Sequence, residues 1–253
     1  MLILKSETDM RKMRLAGKIA GGALMAASAA IGQGISTWEL DKIIESYIRS
    51  HGAVPSFKGY GGFPGSACIS INNVVIHGIP SKKIFLQEGD IVSIDVGAYI
   101  GGFHGDTART FAVGQVSEQA QKLMDVTKES LNKAASLLKE GVRLGDIGHA
   151  VDSYVTSFGY TTVKDFVGHG IGRALHEDPS VPNFGRAGRG MRLMKGTTVA
   201  IEPMVNAGVE DVTVDSQDGW TVRTADGKLS AHFEHTFYID TEGFVCLTDP
   251  EGE

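Results

Sequence analysis

The sequence predicts an α+β fold in which two related halves each supply helices followed by antiparallel strands. Three observations carry this expectation. Residues 86–96 recur without a gap at 193–203, 107 positions later (Leu86 to Leu193), and the same offset pairs 34–40 with 141–147. Helical and alternating apolar periodicities follow one another in the same order along both halves. In each copy one acidic residue, Asp95 or Glu202, sits at the same place inside an apolar strand. No Pro-, Ser- or charge-rich linker intervenes, so a single domain is expected over 1–253, with pseudo-symmetric halves at 10–116 and 117–248.

The elements follow in order. Ser6 and Asp9 open a helix carrying Met10, Met13, Gly17, Ala20, Leu24, Ala27 and Ile31 at helical spacing, expected to run towards Gly34. Its small residues imply close packing. Ser36 and Glu39 form a capping box for a second helix with Leu40, Ile43, Ile44, Tyr47 and Ile48 on one face, closed by Gly52. A third helix is expected between Ser117 and Gly141, and a fourth over 146–158. Strand-like runs cover 67–71, 74–77, 91–96, 104–112, 198–203 and 232–238. Two related sheets forming one curved surface, with helices behind it, would satisfy this order.

At 253 residues with 42% hydrophobic content the chain can bury a full core. It contains no run of the roughly 20 apolar residues that crosses a bilayer. Lys5, Glu7 and Asp9 leave no apolar signal region at the N-terminus, so a cytoplasmic protein without membrane contact is expected. Cys68 and Cys246 are the only cysteines, which excludes a disulfide framework and a zinc site built from Cys pairs. A net charge of −6 without a basic cluster argues against DNA as a ligand. With no exposed heptad pattern, a monomer is expected.

Strand alternation sends Val92, Ile94 and Val96 to one face and Ser93 and Asp95 to the other. Glu202 repeats this with Val199 and Ile201 as buried neighbours. A lone buried Asp is ordinarily explained by a salt bridge to Lys or Arg. Four acids change that balance: Asp95, Asp106, Glu202 and Glu234, gathered by the repeat, would raise one another's pKa values unless cations neutralise them. With one His they form an oxygen-dominated set suited to two divalent metals, Mn, Fe(II), Co or Zn.

Seven stretches then fall into a known pattern: 75–80 (VIHGIP), 93–97 (SIDVG), 103–110 (FHGDTART), 168–172 (GHGIG), 175–179 (LHEDP), 201–205 (IEPMV) and 233–236 (FEHT). They resemble type I methionine aminopeptidase, the short bacterial form of an M24-like peptidase, from about Met10 to Leu247. The resemblance implies the pita-bread fold and a metal-dependent hydrolase that removes N-terminal methionine from newly made proteins when the second residue is small. It implies that Asp95, Asp106, His169, Glu202 and Glu234 bind two divalent ions, with Asp106 and Glu234 bridging them. His77, His176 and Glu202 would be catalytic, and His77 and His176 would also touch substrate. The methionine pocket would be formed by Tyr60, Phe63, Cys68 and Trp220, edged by Phe57 and Leu175. Leu175 and Gly61 depart from the family, which more often has Phe and His there, and this bears on the pocket rim. Asn72, Val74 and Ser230 match a monovalent-cation site found in some relatives, where ordinary turn chemistry is the competing explanation. Ribosome association would suit action on nascent chains, although the acidic composition offers no ribosomal-RNA patch.

The remaining histidines, His51, His104, His149, His232 and His235, read as structural, His235 at most orienting Glu234. The nearest rival function is an X-Pro dipeptidase of the same fold. A binding protein that had lost catalysis would carry substitutions among the five ligand positions, and all five are intact.

Overall fold

The computed structural model describes residues 2–249; the ends of the domain expected over 1–253, residue 1 and residues 250–253, lie outside the described residues. Among the described residues four α-helices are formed: α1 (Glu7–Ser28), α2 (Thr37–Ser50), α3 (Glu118–Ala135) and α4 (Leu144–Ser157). Ser6–Asp9 and Ser36–Glu39 make reciprocal capping boxes, satisfying otherwise orphaned N–H groups at the starts of α1 and α2. α1 stops before Ile31 because the N–H groups of Ala30 and Ile31 turn back to Ala27 and Ser28 carbonyls, three residues earlier. α3 likewise ends at Ala135, leaving Leu138 buried in the following loop. α4 begins earlier than expected: the Arg143 N–H donates to the Asp146 carboxylate at 3.1 Å, which closes the first turn around Leu144.

The sequence offset has a structural counterpart. α2 and α4 each contain 14 residues, beginning at Thr37 and Leu144. The N–H of Gly34 donates to Leu86 O at 2.8 Å, and that of Gly141 donates to Leu193 O at 2.7 Å. Isolated bridges join Ser36 to Phe85 and Arg143 to Arg192. The repeated sequence thus builds the same strand–loop–helix entry twice.

Among the described residues four sheets replace the two expected. The largest has five strands in the order Phe244–Cys246, His235–Ile239, Thr198–Ile201, Gly168–Gly170, Glu177–Val181. The four-stranded sheet is centred on Ile91–Ile100, flanked on one side by Phe103–Ala112 and on the other by Cys68–Ile71 and Val54–Pro55. Two three-stranded sheets contain Met204–Asn206 with Ser230–His232, and Val74–Ile76 with Val222–Thr224. The run 198–203 divides because Pro203 has no N–H for a ladder and the chain restarts at Met204 in another sheet. The run 232–238 divides at Phe233–Glu234 for the same change of sheet. The strand 91–96 extends to Ile100 because Gly101 and Gly102, at φ of 62° and 87°, turn it into an antiparallel hairpin.

Val92, Ile94 and Val96 are fully buried against Leu24, Leu40, Ile44 and Ile48 of α1 and α2. Val199 and Ile201 meet Leu123, Leu131 and Ile147 of α3 and α4 in the corresponding core. Each such side chain contributes about 1.5–3 kcal/mol by leaving water. Gly17 of α1 is a point of close backbone approach. A Cβ on Gly17 would lie 2.1 Å from the Leu247 carbonyl oxygen, and one on Gly105 would lie 2.5 Å from the Gly17 nitrogen. Gly17→Ala is therefore expected to cost about 1–3 kcal/mol or more as an overpacked contact. Urea denaturation should show a lower midpoint at unchanged m-value, and an unchanged midpoint would refute the close approach.

Candidate metal centre and active site

The register assembles the acidic cluster. Asp95 faces Ala108 and Gly97 faces Asp106 across the hairpin, so both aspartates occupy the same face, diagonally placed. A bridge pairs Ala108 with Glu234, the Glu234 N–H donating to Ala108 O at 2.8 Å. Ile201 pairs with His235, and continuing that register sets Glu202 opposite Glu234. His169 faces Ala200, two residues before Glu202 on the same strand face. One row of side chains thereby crosses from the first half to the second.

Local hydrogen bonds fix this row. Thr236 Oγ1 donates to Asp106 O at 2.8 Å and accepts from Asp106 N–H at 3.1 Å. Thr107 Oγ1 donates to Glu234 O at 2.8 Å, and Asn183 Nδ2 donates to Glu202 O at 2.9 Å. These contacts hold main chain and leave the carboxylates free. Asp95 Oδ1, Asp106 Oδ1 and Glu234 Oε1 are shielded from solvent and make no hydrogen bond among the described residues. Single ligand atoms of Asp106, His169 and Glu234 lie within 4.8 Å of one another. His169 Nδ1 is 2.8 Å from the Gly170 carbonyl, so the ring donates there and keeps the Nε2 lone pair for a cation. That Nε2 stands 3.6 Å from Glu202 Oε1 and 4.0 Å from Asp106 Oδ2. Orphaned buried oxygens beside an imidazole lone pair are a donor set that fits divalent metal ions.

The electrostatics agree. Burial raises the Asp106 carboxyl to about 7. Burial, then repulsion from Asp106 and Glu202, raises Asp95 well above the usual carboxylate range. Burial, then Asp106, does the same for Glu202, and burial followed by Asp106, Glu202 and Asp95 does so for Glu234. A cation binding near neutrality must displace protons from this cluster. Mn(II) affinity should therefore strengthen as pH rises through about 7, with measurable proton release. Calorimetry in two buffers of different ionisation enthalpy checks this, and pH-independent affinity would contradict it. For the metal-free fold the sign is opposite: Asp106 contributes stability that is present below its ordinary value of 3.8 and lost as pH rises through about 7.

A cavity of about 150 Å³ opens on this cluster. Its lining comprises Asp95, Asp106, His169, Glu202 and Glu234 on one side, His77 and His176 at the junction, and Phe57, Tyr60, Phe63, Cys68, Leu175 and Trp220 beyond. The ring centroids of His169 and His176 are 4.2 Å apart, and Tyr60 OH is 2.7 Å from His176 Nδ1. Phe63 meets Trp220 edge-on at 5.2 Å, and His77 lies edge-on between Trp220 and Phe166. His77 follows the strand Val74–Ile76 at φ 59°, and its ring lines the cavity. Gly61 lies under Trp220, where a Cβ would stand 3.1 Å from the indole Cη2. Burial, with nearby carboxylates, pushes the Cys68 thiol well up, so it is an unreactive wall.

Several other histidines lie outside the cavity lining. His51 stacks on Tyr47, His104 meets Ser56 Oγ at 2.9 Å, and His235 Nδ1 faces Thr248 Oγ1 at 2.9 Å. His232 is different, since its Nε2 lies 3.9 Å from Glu202 Oε2. Sequence reasoning passed over it, and the available signal was its position two residues before Glu234. Asn72 and Ser230, 158 residues apart, are brought together by the Ser230 N–H donating to Asn72 O at 2.8 Å, and Val74 opens the adjoining strand.

Residues 11–241 match metallopeptidase family M24. Methionine aminopeptidase of Clostridium acetobutylicum is 53% identical over 98% of this chain and 99% of its own, and that of Clostridium perfringens is 55% identical with the same coverage. The crystal structure of methionine aminopeptidase from Rickettsia prowazekii superposes with a TM-score of 0.97 at 42% identity, covering 98% of this chain and 100% of the other. A prolidase from Pyrococcus horikoshii shares the fold at TM-score 0.80 and 25% identity, with this chain spanning 65% of its length. The buried carboxylates, the histidines beside them and these end-to-end likenesses converge: the chain belongs to metallopeptidase family M24, in its methionine aminopeptidase branch.

Proposed function

We propose that this chain removes the N-terminal methionine from newly made proteins and peptides in the cytoplasm, preferring a small second residue. The observation that carries the reading is the row of buried, unpartnered carboxylate oxygens opening directly onto an aromatic-walled cavity. Asp95, Asp106, His169, Glu202 and Glu234 would hold two divalent ions, Mn, Fe(II), Co or Zn. When bound, such ions neutralise the cluster and lower the pKa of water from 15.7 towards about 7. Glu202 accepts the proton of the attacking water and passes it to the leaving amine. Burial keeps His176 neutral. With the Tyr60 O–H donating to Nδ1, the ring carries its remaining proton on Nε2, where it can donate to the developing oxyanion. His77, whose pKa burial lowers to about 4, is neutral and hydrogen-bonds the substrate amide nitrogen. Phe57, Tyr60, Phe63, Cys68, Leu175 and Trp220 surround the methionine side chain, whose sulfur makes favourable ring contacts. Among the described residues no helix is long and apolar enough to cross a membrane, in keeping with this site of action.

Methionine release from a Met-Gly-Met peptide, measured before and after chelation with each metal restored separately, tests the reading. Metal-dependent release is expected, with little action on a Met-Pro dipeptide. Preference for the dipeptide would favour the prolidase-like alternative that the shared fold allows. Absence of turnover with every metal would overturn both.

A further inference from the structure

We infer that His232 is a positioning residue for Glu202, its Nε2–H holding one oxygen of that carboxylate while His169 faces the other. The inference rests on Glu202 having the role proposed above, and it begins from a mismatch. His232 is 2% exposed, yet its Nε2 has no hydrogen-bond partner among the described residues. A buried polar atom without a partner is costly, and an aliphatic side chain would fill the same space without that penalty. What the ring faces is Glu202 Oε2 at 3.9 Å, while Glu202 Oε1 lies 3.6 Å from His169 Nε2. The carboxylate is bracketed by two imidazoles, one oxygen to each.

The backbone around His232 is unusually constrained for this task. Thr110 Oγ1 donates to His232 O at 2.9 Å and accepts from His232 N–H at 2.9 Å, and Ser93 Oγ meets the same hydroxyl at 2.8 Å. His232 is thus pinned to the strand that carries Asp106 and, through the Thr110 hydroxyl, linked to Ser93 on the strand that carries Asp95, both on the first half of the chain. Asn183 fixes the Glu202 main chain from the opposite side through its carbonyl. With both main chains held by these contacts, a side-chain torsional adjustment that shortens the 3.9 Å separation would bring Oε2 within hydrogen-bond length of Nε2. His169 Nε2 has its lone pair directed at the cluster, so it cannot supply a hydrogen to Glu202; His232 can. It touches neither substrate nor the cluster centre. Its effect is to keep the Glu202 carboxylate at the angle that ligation and proton transfer both require, since misplacement by an ångström is enough to lower turnover.

His232→Leu removes the donor and keeps the volume, whereas His232→Gln keeps an N–H donor of similar reach. His232→Met serves in place of the Leu variant if that protein does not fold. The Leu variant should bind Mn(II) about 10–100-fold more weakly by calorimetry and lose kcat by a similar factor with KM unchanged, the range for loss of a ligand's supporting partner. The Gln variant should remain near wild type in both. Wild-type Mn(II) affinity and kcat in the Leu variant would overturn the inference, as would a Gln variant impaired as severely as Leu. The Mn(II) titration reads His232 even if wild type proves inactive on Met-Gly-Met, so failure of the proposed function and failure of this inference remain distinguishable.

Discussion

Asp106→Asn is expected to abolish methionine release and to weaken Mn(II) binding by more than about 100-fold, the upper range for residues that merely support a ligand. Asp106 stands at the middle of the cluster. Its carboxylate repels Glu202, Glu234 and Asp95, and its ligand atom lies within 4.8 Å of those of His169 and Glu234. The amide keeps the shape but removes a charge, so the remaining acids ionise more easily while attracting a cation less. Folding should survive because Thr236 grips the Asp106 main chain and leaves the carboxylate untouched. The metal-free variant should melt no lower than wild type, and added Mn(II) should no longer raise its Tm. A variant still stabilised by Mn(II) as strongly as wild type would remove Asp106 from the ligand set.

His176→Ala should instead lower kcat by about 10²–10³-fold, the loss typical of one oxyanion donor, with metal content unchanged. The difference between the two variants is diagnostic. His176 packs on His169 and has its Nδ1 engaged by Tyr60 OH at 2.7 Å, outside the proposed ligand set, so its removal should separate chemistry from metal loading. Tyr60→Phe removes the hydrogen bond at Nδ1 and frees the tautomer, and a smaller fall in kcat is expected from it. Unchanged turnover in His176→Ala with normal metal content would discard the assignment.

The sequence made some of this architecture readable because its signals were local and repeated. Ser6, Ser36 and Ser117 announced helix starts, and each caps its helix. The period-two pattern around Asp95 correctly separated Val92, Ile94 and Val96 from the acid, since a strand with one face against helices leaves little choice. The thirteen residues expected to act together line one cavity, which motif resemblance could suggest but spacing alone could not. What escaped was set by distant contacts. Short strands such as Gly168–Gly170 and Val222–Thr224 are only three residues long and owe their form to neighbours rather than to their own composition. The division of the sheet at Glu202–Pro203 and at Phe233–Glu234 placed two acids at strand ends, where alternation says nothing about direction. His232 was hidden by the same break: its partner Glu202 is brought to it by the crossing of two sheets.

The pairing of Ala108 with Glu234 also governs when an enzyme molecule comes into being. Ribosomes deliver the chain from its N-terminus, at about 5–20 residues per second, and early segments begin folding while later ones are still absent. The hairpin bearing Asp95 and Asp106 is synthesised first, and Glu202 and Glu234 follow only after α3 and α4, with Leu247, whose carbonyl seats against Gly17 of the first helix, later still. A truncated translation product therefore carries half a cation site and an unclosed helix contact. A chain stopped before Glu234 is expected to release no methionine, because activity requires carboxylates from both halves.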